Sequence, residues 1–418
     1  MKSKRKLFLA LVFLIPLTVI FSQCLTLSPK SNDPRGDNYV GAAKCMQCHK
    51  EIYDDYLHTA HFASTSLANA NTVHGDFTTG NNTYNFSKDL KVVMEKHKDG
   101  LYQVAYFKGK QIKSQRFDLV FGSVKAESYL YWKDNELYQL PISYFYGLHE
   151  WTDSPGFDTL NADYGRMIGD RCFQCHASYI SQIPSEAHSI TNPVVKYDKA
   201  SLILGVDCER CHGPGADHAN FQAAHPDDKT AHFIASYKSL PRARKLDMCA
   251  ICHSGNKELM IRNIFAFKPG DTLANFKETE LYQHMAVDSS KLDVHGNQYQ
   301  LLSSSKCFLK SNLDCATCHD VHANQRQDVA LFSQKCIACH KTETHNFCPM
   351  AQQLGAVIKS NCIDCHMPAR SSSVIAVQTS GKGRAVPYLV RTHHIAIYPD
   401  AAQSVMNYYK KTNKLQAN

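Results

Sequence analysis

The sequence predicts a mainly α-helical and irregular chain with one small β module inserted near its start. Three observations carry that reading. Cys-x-x-Cys-His recurs seven times in 418 residues. Six copies fall between residues 172 and 366, which leaves little chain between them for a conventional core. The long stretch before them is rich in aromatics and broken by turn signals. A composition of 44% apolar, 20% charged and 10% aromatic residues excludes a disordered chain and suits two or three domains.

Residues 1–23 read as a signal peptide. Lys2, Lys4, Arg5 and Lys6 precede an apolar run over 7–21. At about 1.5 Å per residue that run covers roughly 22 Å, short of the ~30 Å hydrocarbon layer, so it fits an export signal and not a spanning helix. Cys24 follows directly, where a lipoprotein signal places its acylated cysteine, and Phe21-Ser22-Gln23 is a loose form of the preceding box. Lipidation and conventional cleavage both stay open. The expected location is exported: periplasmic, or anchored to the outer membrane and facing the periplasm or the exterior. Residues 24–38 read as a linker. Without the leader the formal charge falls from +8 to +4, and no Lys/Arg cluster remains, which argues against nucleic acid.

The cysteines set the chemistry. The motifs pair Cys45 with Cys48, Cys172 with Cys175, Cys208 with Cys211 and Cys249 with Cys252, then Cys315 with Cys318, Cys336 with Cys339 and Cys362 with Cys365. His49, His176, His212, His253, His319, His340 and His366 follow them. Chance supplies roughly 0.04 such motifs in this composition. Two intervening residues put both sulfurs on one side of a short turn, where they can form thioethers with the two vinyl groups of one haem. The next imidazole then reaches the iron as its proximal ligand. A zinc ribbon does not require His after every pair, a thioredoxin-like pair occurs once, and a disulfide framework leaves the His unexplained. Seven covalent c-type haems, each with its iron, are therefore expected. Their propionates bring the holoprotein to roughly −3, so the basic sequence misleads about its surface.

Motif starts lie 127, 36, 41, 66, 21 and 26 residues apart. Residues 39–75 form a first haem-binding segment, 76–150 a small β-rich module, and 151–310 a central domain with haem sites two to four. Residues 311–400 carry sites five to seven, and 401–418 a tail. Within the module, 91–107 reads as two strands around Lys98-Asp99-Gly100 and 117–121 as a strand ending at Gly122. Residues 129–140 read as a hairpin around Asp134-Asn135, for four to six strands in all. Farther on, Phe267-Lys268-Pro269-Gly270-Asp271 marks a turn before an expected helix over 273–285. The polar, basic end over 407–418 is expected to fray. The fold class is thus mainly α and irregular, packed around haem, with the β module between the first and second haem sites.

Tyr39-Val-Gly-Ala-Ala-Lys-Cys45, with Tyr53, Tyr56, Thr59 and His61 beyond the motif, resembles the opening of a multihaem cytochrome c family. That family includes the tetrahaem c-prime type of ammonia oxidisers and tetratricopeptide-linked multihaem cytochromes. The likeness continues at Val73-His-Gly-Asp-Phe77, at Gly205-Val-Asp-Cys-Glu-Arg-Cys-His-Gly-Pro-Gly215 with His218, at Cys315 to His322, at Cys362 to Pro368 and around 391–400. The chain departs from it in lacking the repeat domain and in having Tyr56 where Trp is common. The resemblance implies distal iron ligands at His61, His218, His322 and His393, with His394 as rival to the last. His345, His58, His284 and His295 are further candidates, while His74, His97, His149, His188, His225 and His232 suit surface or hydrogen-bonding roles better. His322 and His345 lie so close behind a proximal His that each is expected to cap a neighbouring haem instead of its own.

Beyond the motifs and Cys24 remain Cys307 and Cys348, an even pair in an oxidising compartment and hence a disulfide candidate, with free buried thiols as the alternative. Three functions stay in view. The first is electron transfer along mostly bis-His haems, between a redox protein or a membrane quinol-oxidising donor and an unknown acceptor. A reductase or oxidase of a small nitrogen or sulfur compound would need one iron with an open distal position. The third is a structural subunit of a haem filament or outer-membrane conduit. No catalytic residue stands out.

Overall fold

The computed structural model describes residues 32–184, 194–255, 258–278, 288, 292–341, 343, 347–381 and 385–416. The leader, Cys24, His188, His284 and His345 lie outside the described residues. Between the first and second motifs the chain forms ten strands: β1 (Thr65–Leu67), β2 (Thr83–Asn85), β3 (Leu90–His97), β4 (Gly100–Phe107), β5 (Lys110–Arg116), β6 (Leu119–Phe121), β7 (Ala126–Lys133), β8 (Glu136–Gln139), β9 (Ile142–Phe145) and β10 (Glu150–Asp153). They make two antiparallel sheets. One has the order β2-β3-β4-β5, the other β1-β6-β7-β9-β10 with β8 also on β7. The module is about twice the size expected, because short strands such as β1 and β10 carry too few residues to show alternation.

Period two decides what each face meets. On β7, Tyr129 and Tyr131 point into a core shared with Val92 and Met94 of the other sheet, together with Phe117 and Trp151. Leu130 points the opposite way, with Leu119 and Leu137, onto Phe173 and Tyr197 near the second motif. Fully burying one such side chain is worth roughly 1.5–3 kcal/mol. The sheet therefore has two buried faces, one closing the sandwich and one supporting a motif helix. The β4–β5 turn places both Lys108 and Gly109 at positive φ, the geometry that matches strand twist in a two-residue hairpin.

The motif-bearing remainder is thinner. Among the described residues before 399, its longest helix, Arg242–His253, has 12 residues, and most others have four to nine, lengths that do not stand alone in water. Two hairpins join them: β11 (Tyr179–Ile183) with β12 (Lys196–Ile203), and β13 (Ala369–Gln378) with β14 (Ala385–Arg391). The second hairpin docks on the sandwich. Thr379 bridges Thr152, Asn85 donates its backbone N–H to Ser380 Oγ at 2.9 Å, and Tyr388 meets Phe145 edge-on at 5.4 Å.

Four expectations need correction. With 14 described strands the chain is mixed α and β, not mainly helical. The tail is an 18-residue helix, Pro399–Gln416. Proline suits the first helical position, and partly buried Ala401, Val405, Tyr409 and Thr412 recur every three to four residues against the seventh motif. Residues 32–38 are no free linker, because Arg35 is locked into a buried ion-pair group. Of the helix expected over 273–285, a single 3-10 turn forms at Leu273–Asn275. Lys277 then bridges Met260 as extended chain, and residues 279–285 lie outside the described residues.

Candidate haem centres

Each motif closes into one helical turn. The backbone N–H of the His donates to the carbonyl of the first Cys at 2.9 Å in His49 and His340, 3.0 Å in His319 and 3.1 Å in His366. Both thiols then share one side of the turn, and the imidazole follows on the next position. Side-chain caps start the third and fifth motif turns and the helix that runs into the sixth motif. Asp207 accepts from Arg210 N–H at 2.9 Å, Asp328 from Leu331 N–H at 2.8 Å, and Asp314 forms a reciprocal capping box with Thr317.

Four of the seven motif imidazoles face a second imidazole from a distant part of the chain. His49 faces His218 with ring centres 6.4 Å apart, and His212 faces His322 at 6.0 Å. His253 faces His61 at 6.3 Å, and His319 faces His393 at 6.2 Å. Stacked rings would sit closer. Two imidazoles donating from opposite sides of one metal, at about 2 Å per bond and about 1.1 Å more to each ring centre, lie roughly 6 Å apart. The interplanar angles run from 13° to 80°, as expected where each ring is free to turn about a shared axis. These residues fit an iron with two axial imidazoles, a haem supplying the remaining donors. A fifth motif imidazole, His176, feels His295 electrostatically, and the buried Nδ1 of His295 has no hydrogen-bond partner.

The supporting shell leaves the outer nitrogens available. Nδ1 of His212 lies 3.1 Å from the Ala235 carbonyl, Nδ1 of His218 2.8 Å from that of His232, and Nδ1 of His366 2.9 Å from that of Ala396. Such contacts fix the tautomer with Nε2 as the free electron pair. Burial depresses His61, His295 and His322 below the usual histidine range, and the chain crowded round His176 and His319, which keep exposed surface, lowers them too. His253 keeps some accessible surface, yet the chain crowds round it. Burial, then the neighbouring His61 and His393, hold it down to about 4; burial and His319 likewise hold His393 at about 4. A neutral imidazole is the form that binds metal.

The motifs also lie near one another. Thiols are close enough to influence each other's ionisation between Cys45 and Cys208, Cys175 and Cys252, Cys249 and Cys315, and Cys336 and Cys362. Cys211 lies close enough to Cys252, and Cys318 to Cys336, for their charges to interact. Motifs one, three, four, five, six and seven thus form a continuous run, with motif two branching at four. Cys307 sits by Cys318, Cys336 and Cys339, whereas Cys348 neighbours Cys365. No disulfide joins the two in the structure.

Other candidates go elsewhere. His322 faces the third motif and not its own His319. His394 turns Nδ1 to Tyr398 Oη at 3.1 Å, leaving His393 to face the iron position. His58 is exposed, and His74 bonds Glu127. His97 bonds Glu95, while His225 and His232 pack on Phe221. No sequence signal marked the clamp at the third motif. Arg35, its side chain 6% exposed, pairs with Asp33, Asp207 and Glu209 at 2.8–2.9 Å. Glu209, between the thiols, also accepts the N–H groups of Val40, Gly41 and Gly215, which ties the first motif segment to the third. Gly205 stands at φ +65°, and a Cβ there would lie 2.2 Å from the Phe62 carbonyl oxygen.

The fold has a counterpart among solved structures. The family model of cytochrome c554 and c-prime matches residues 159–213, which hold the second and third motifs. Outer cell wall cytochrome OcwA shares the fold over 88% of this chain and 81% of its own, with a TM-score of 0.51 at 14% identity. The chain thus shares its fold with a cytochrome. No curated protein sequence matches this chain. Among its described residues no helix is long and apolar enough to cross a membrane.

Proposed function

We propose that this chain is an exported heptahaem electron carrier. Single electrons would enter at one end of the motif run and leave at the other. The observation that carries this reading is the set of four opposed imidazole pairs on neighbouring motifs. Haem iron supplies the one-electron redox change, and its potential follows axial ligand, burial and nearby charge. The chain's part is to hold the axes. His49 with His218, His212 with His322, His253 with His61 and His319 with His393 would each clamp one iron, and His176 with His295 a fifth. His340 and His366 would hold the sixth and seventh, with His345 available as a capping group. Two strong axial imidazoles leave an iron no place for substrate, which favours relay over catalysis along this run. A redox protein or quinol-oxidising membrane donor at one end and an acceptor at the other remain the proposed partners. A lipid at Cys24 would keep the carrier at a membrane surface.

The test combines haem counting with ligand replacement. Intact mass should show seven covalent haems. Low-temperature EPR of the oxidised protein should be dominated by low-spin iron. His218→Ala and His61→Ala should each turn one iron high-spin and leave the others unchanged. Unaltered spectra in both variants would reject the axial pairing.

A further inference from the structure

Residues 82–116 hold eight Lys and Arg against three acids. That excess is larger than the +4 of the whole chain without its leader, so the remainder is slightly acidic. In sequence these residues form no run. Strand pairing gathers four of them at one end of the β2-β3-β4-β5 sheet, where two turns meet. Lys88 lies in the β2–β3 loop and Lys108 in the β4–β5 turn, and Lys108 donates its backbone N–H to the Asp89 carbonyl at 2.7 Å. The ladder sets Lys110 opposite Phe107 and Lys91 opposite Tyr106, with paired Cα atoms about 5 Å apart. Lys88, Lys91, Lys108 and Lys110 are all exposed, and Asp89 is the sole acid in 86–91 and 106–112. Among the described residues none of the four lysines pairs with a carboxylate.

Apolar groups share this tip. Phe107 is 45% exposed, and Ile112, the extra residue of a bulge opposite Ala105 and Tyr106, is 59% exposed. Lys108 Nζ lies 5.5 Å from the centre of the Phe107 ring, and Lys91 Nζ 5.8 Å from that of Tyr106. Lysines and a bulge on an edge strand guard it against pairing with another chain. That duty accounts for Lys110 on β5. It does not account for Lys88 and Lys108 in the turns, or for Lys91 on the interior strand β3. Lys108 also stands at φ 49°, a conformation that Gly, Asn or Asp adopts at less cost, so this charge is held against the backbone's preference.

We propose that this tip docks on an anionic lipid bilayer, its four lysines among the phosphate headgroups and Phe107 and Ile112 in the interface. Clustered ammonium groups attract anionic headgroups, and exposed apolar side chains beside them gain by leaving water at the interface. A soluble polyanion would use the lysines and leave Phe107 and Ile112 in water. The slightly acidic remainder of the chain is repelled by the same surface, which favours this end of the molecule.

The test uses the holoprotein with Cys24→Ser, so that no acyl chain contributes. Co-sedimentation is measured with vesicles of phosphatidylcholine and with vesicles of equal parts phosphatidylcholine and phosphatidylglycerol. Binding should require the anionic lipid and weaken as salt rises. Lys91→Gln and Lys108→Asn should each lower the affinity about fivefold. Lys108→Asn should meanwhile keep or raise the thermal midpoint, because asparagine suits the turn. Phe107→Ser should weaken vesicle binding and leave binding to soluble polyphosphate unchanged. Equal binding to both vesicle types, or wild-type affinity in the Lys91→Gln, Lys108→Asn double variant, overturns the proposal. Polyphosphate bound as tightly as the anionic vesicles, with Phe107→Ser indifferent to both, also overturns it and makes the partner a soluble polyanion.

Discussion

The sandwich over residues 65–153 and the motif region over 165–398 solve the same problem with different materials. The sandwich buries Tyr84, Val92, Met94, Tyr129, Leu140 and Ile142 almost completely between two sheets. In the motif region the apolar clusters are small; one consists of Leu246, Leu302 and Phe308. Its helices are too short to persist alone, and its thiols and imidazoles face one another across the interior. On the proposed function, covalent haem would be a structural element there, and an unneeded one in the sandwich.

The largest expected effect follows directly. In a chain produced without haem attachment, residues 165–398 should lose nearly all amide protection, while β3, β4 and β7 keep theirs. Hydrogen exchange with mass spectrometry reads both regions in one experiment. Equal protection in the two regions would end the comparison.

Next come substitutions that hit one region only. Tyr129→Ala removes a fully buried ring stacked on Phe117 at 4.5 Å and should cost about 3–5 kcal/mol of sandwich stability. No haem band should move. Arg35→Ala is the counterpart at the third motif. It strands the Glu209 carboxylate, its side chain 1% exposed, and should cost about 3–5 kcal/mol while perturbing the first and third haems. Denaturant melts followed separately by tryptophan fluorescence and haem absorbance distinguish the two. Loss of both signals together in Tyr129→Ala would show one cooperative unit instead of two.

The same contrast explains what could be read from the sequence. The turns at Lys98-Asp99-Gly100 and Asp134-Asn135 are local signals, and strands form on both sides of each. Pairing of Thr65 with Phe121 and docking of the 369–391 hairpin depend on residues far apart, so neither has a local mark. The terminal helix escaped notice because its Lys, Asn and Gln content masks a sparse apolar stripe. In the motif region the residue types were legible and their partners were not. His61 could be singled out, but nothing in its surroundings points to His253. Arg35 is an ordinary residue in sequence and acquires meaning only through the acids that fold against it.

The smallest expected effect lies at the seam between the two regions. Asp153 ends β10, is 4% exposed, and accepts the backbone N–H of Gln378 from the docked hairpin. Burial raises its carboxyl from 3.8 to about 6, and the Tyr84 phenol from β2 faces it. Between those two values the folded protein holds a proton that the unfolded chain has released, so docking gains stability as pH falls from about 6 toward 4 and loses it as pH rises through 6. Amide exchange in β13 and β14, corrected for the intrinsic pH effect, should therefore be slower at pH 5 than at pH 7. Asp153→Asn, which carries no titrating proton, should show the same protection at both. If the asparagine variant keeps the pH dependence, the titrating group at the seam is another one, and the haem carboxylates become the first to examine.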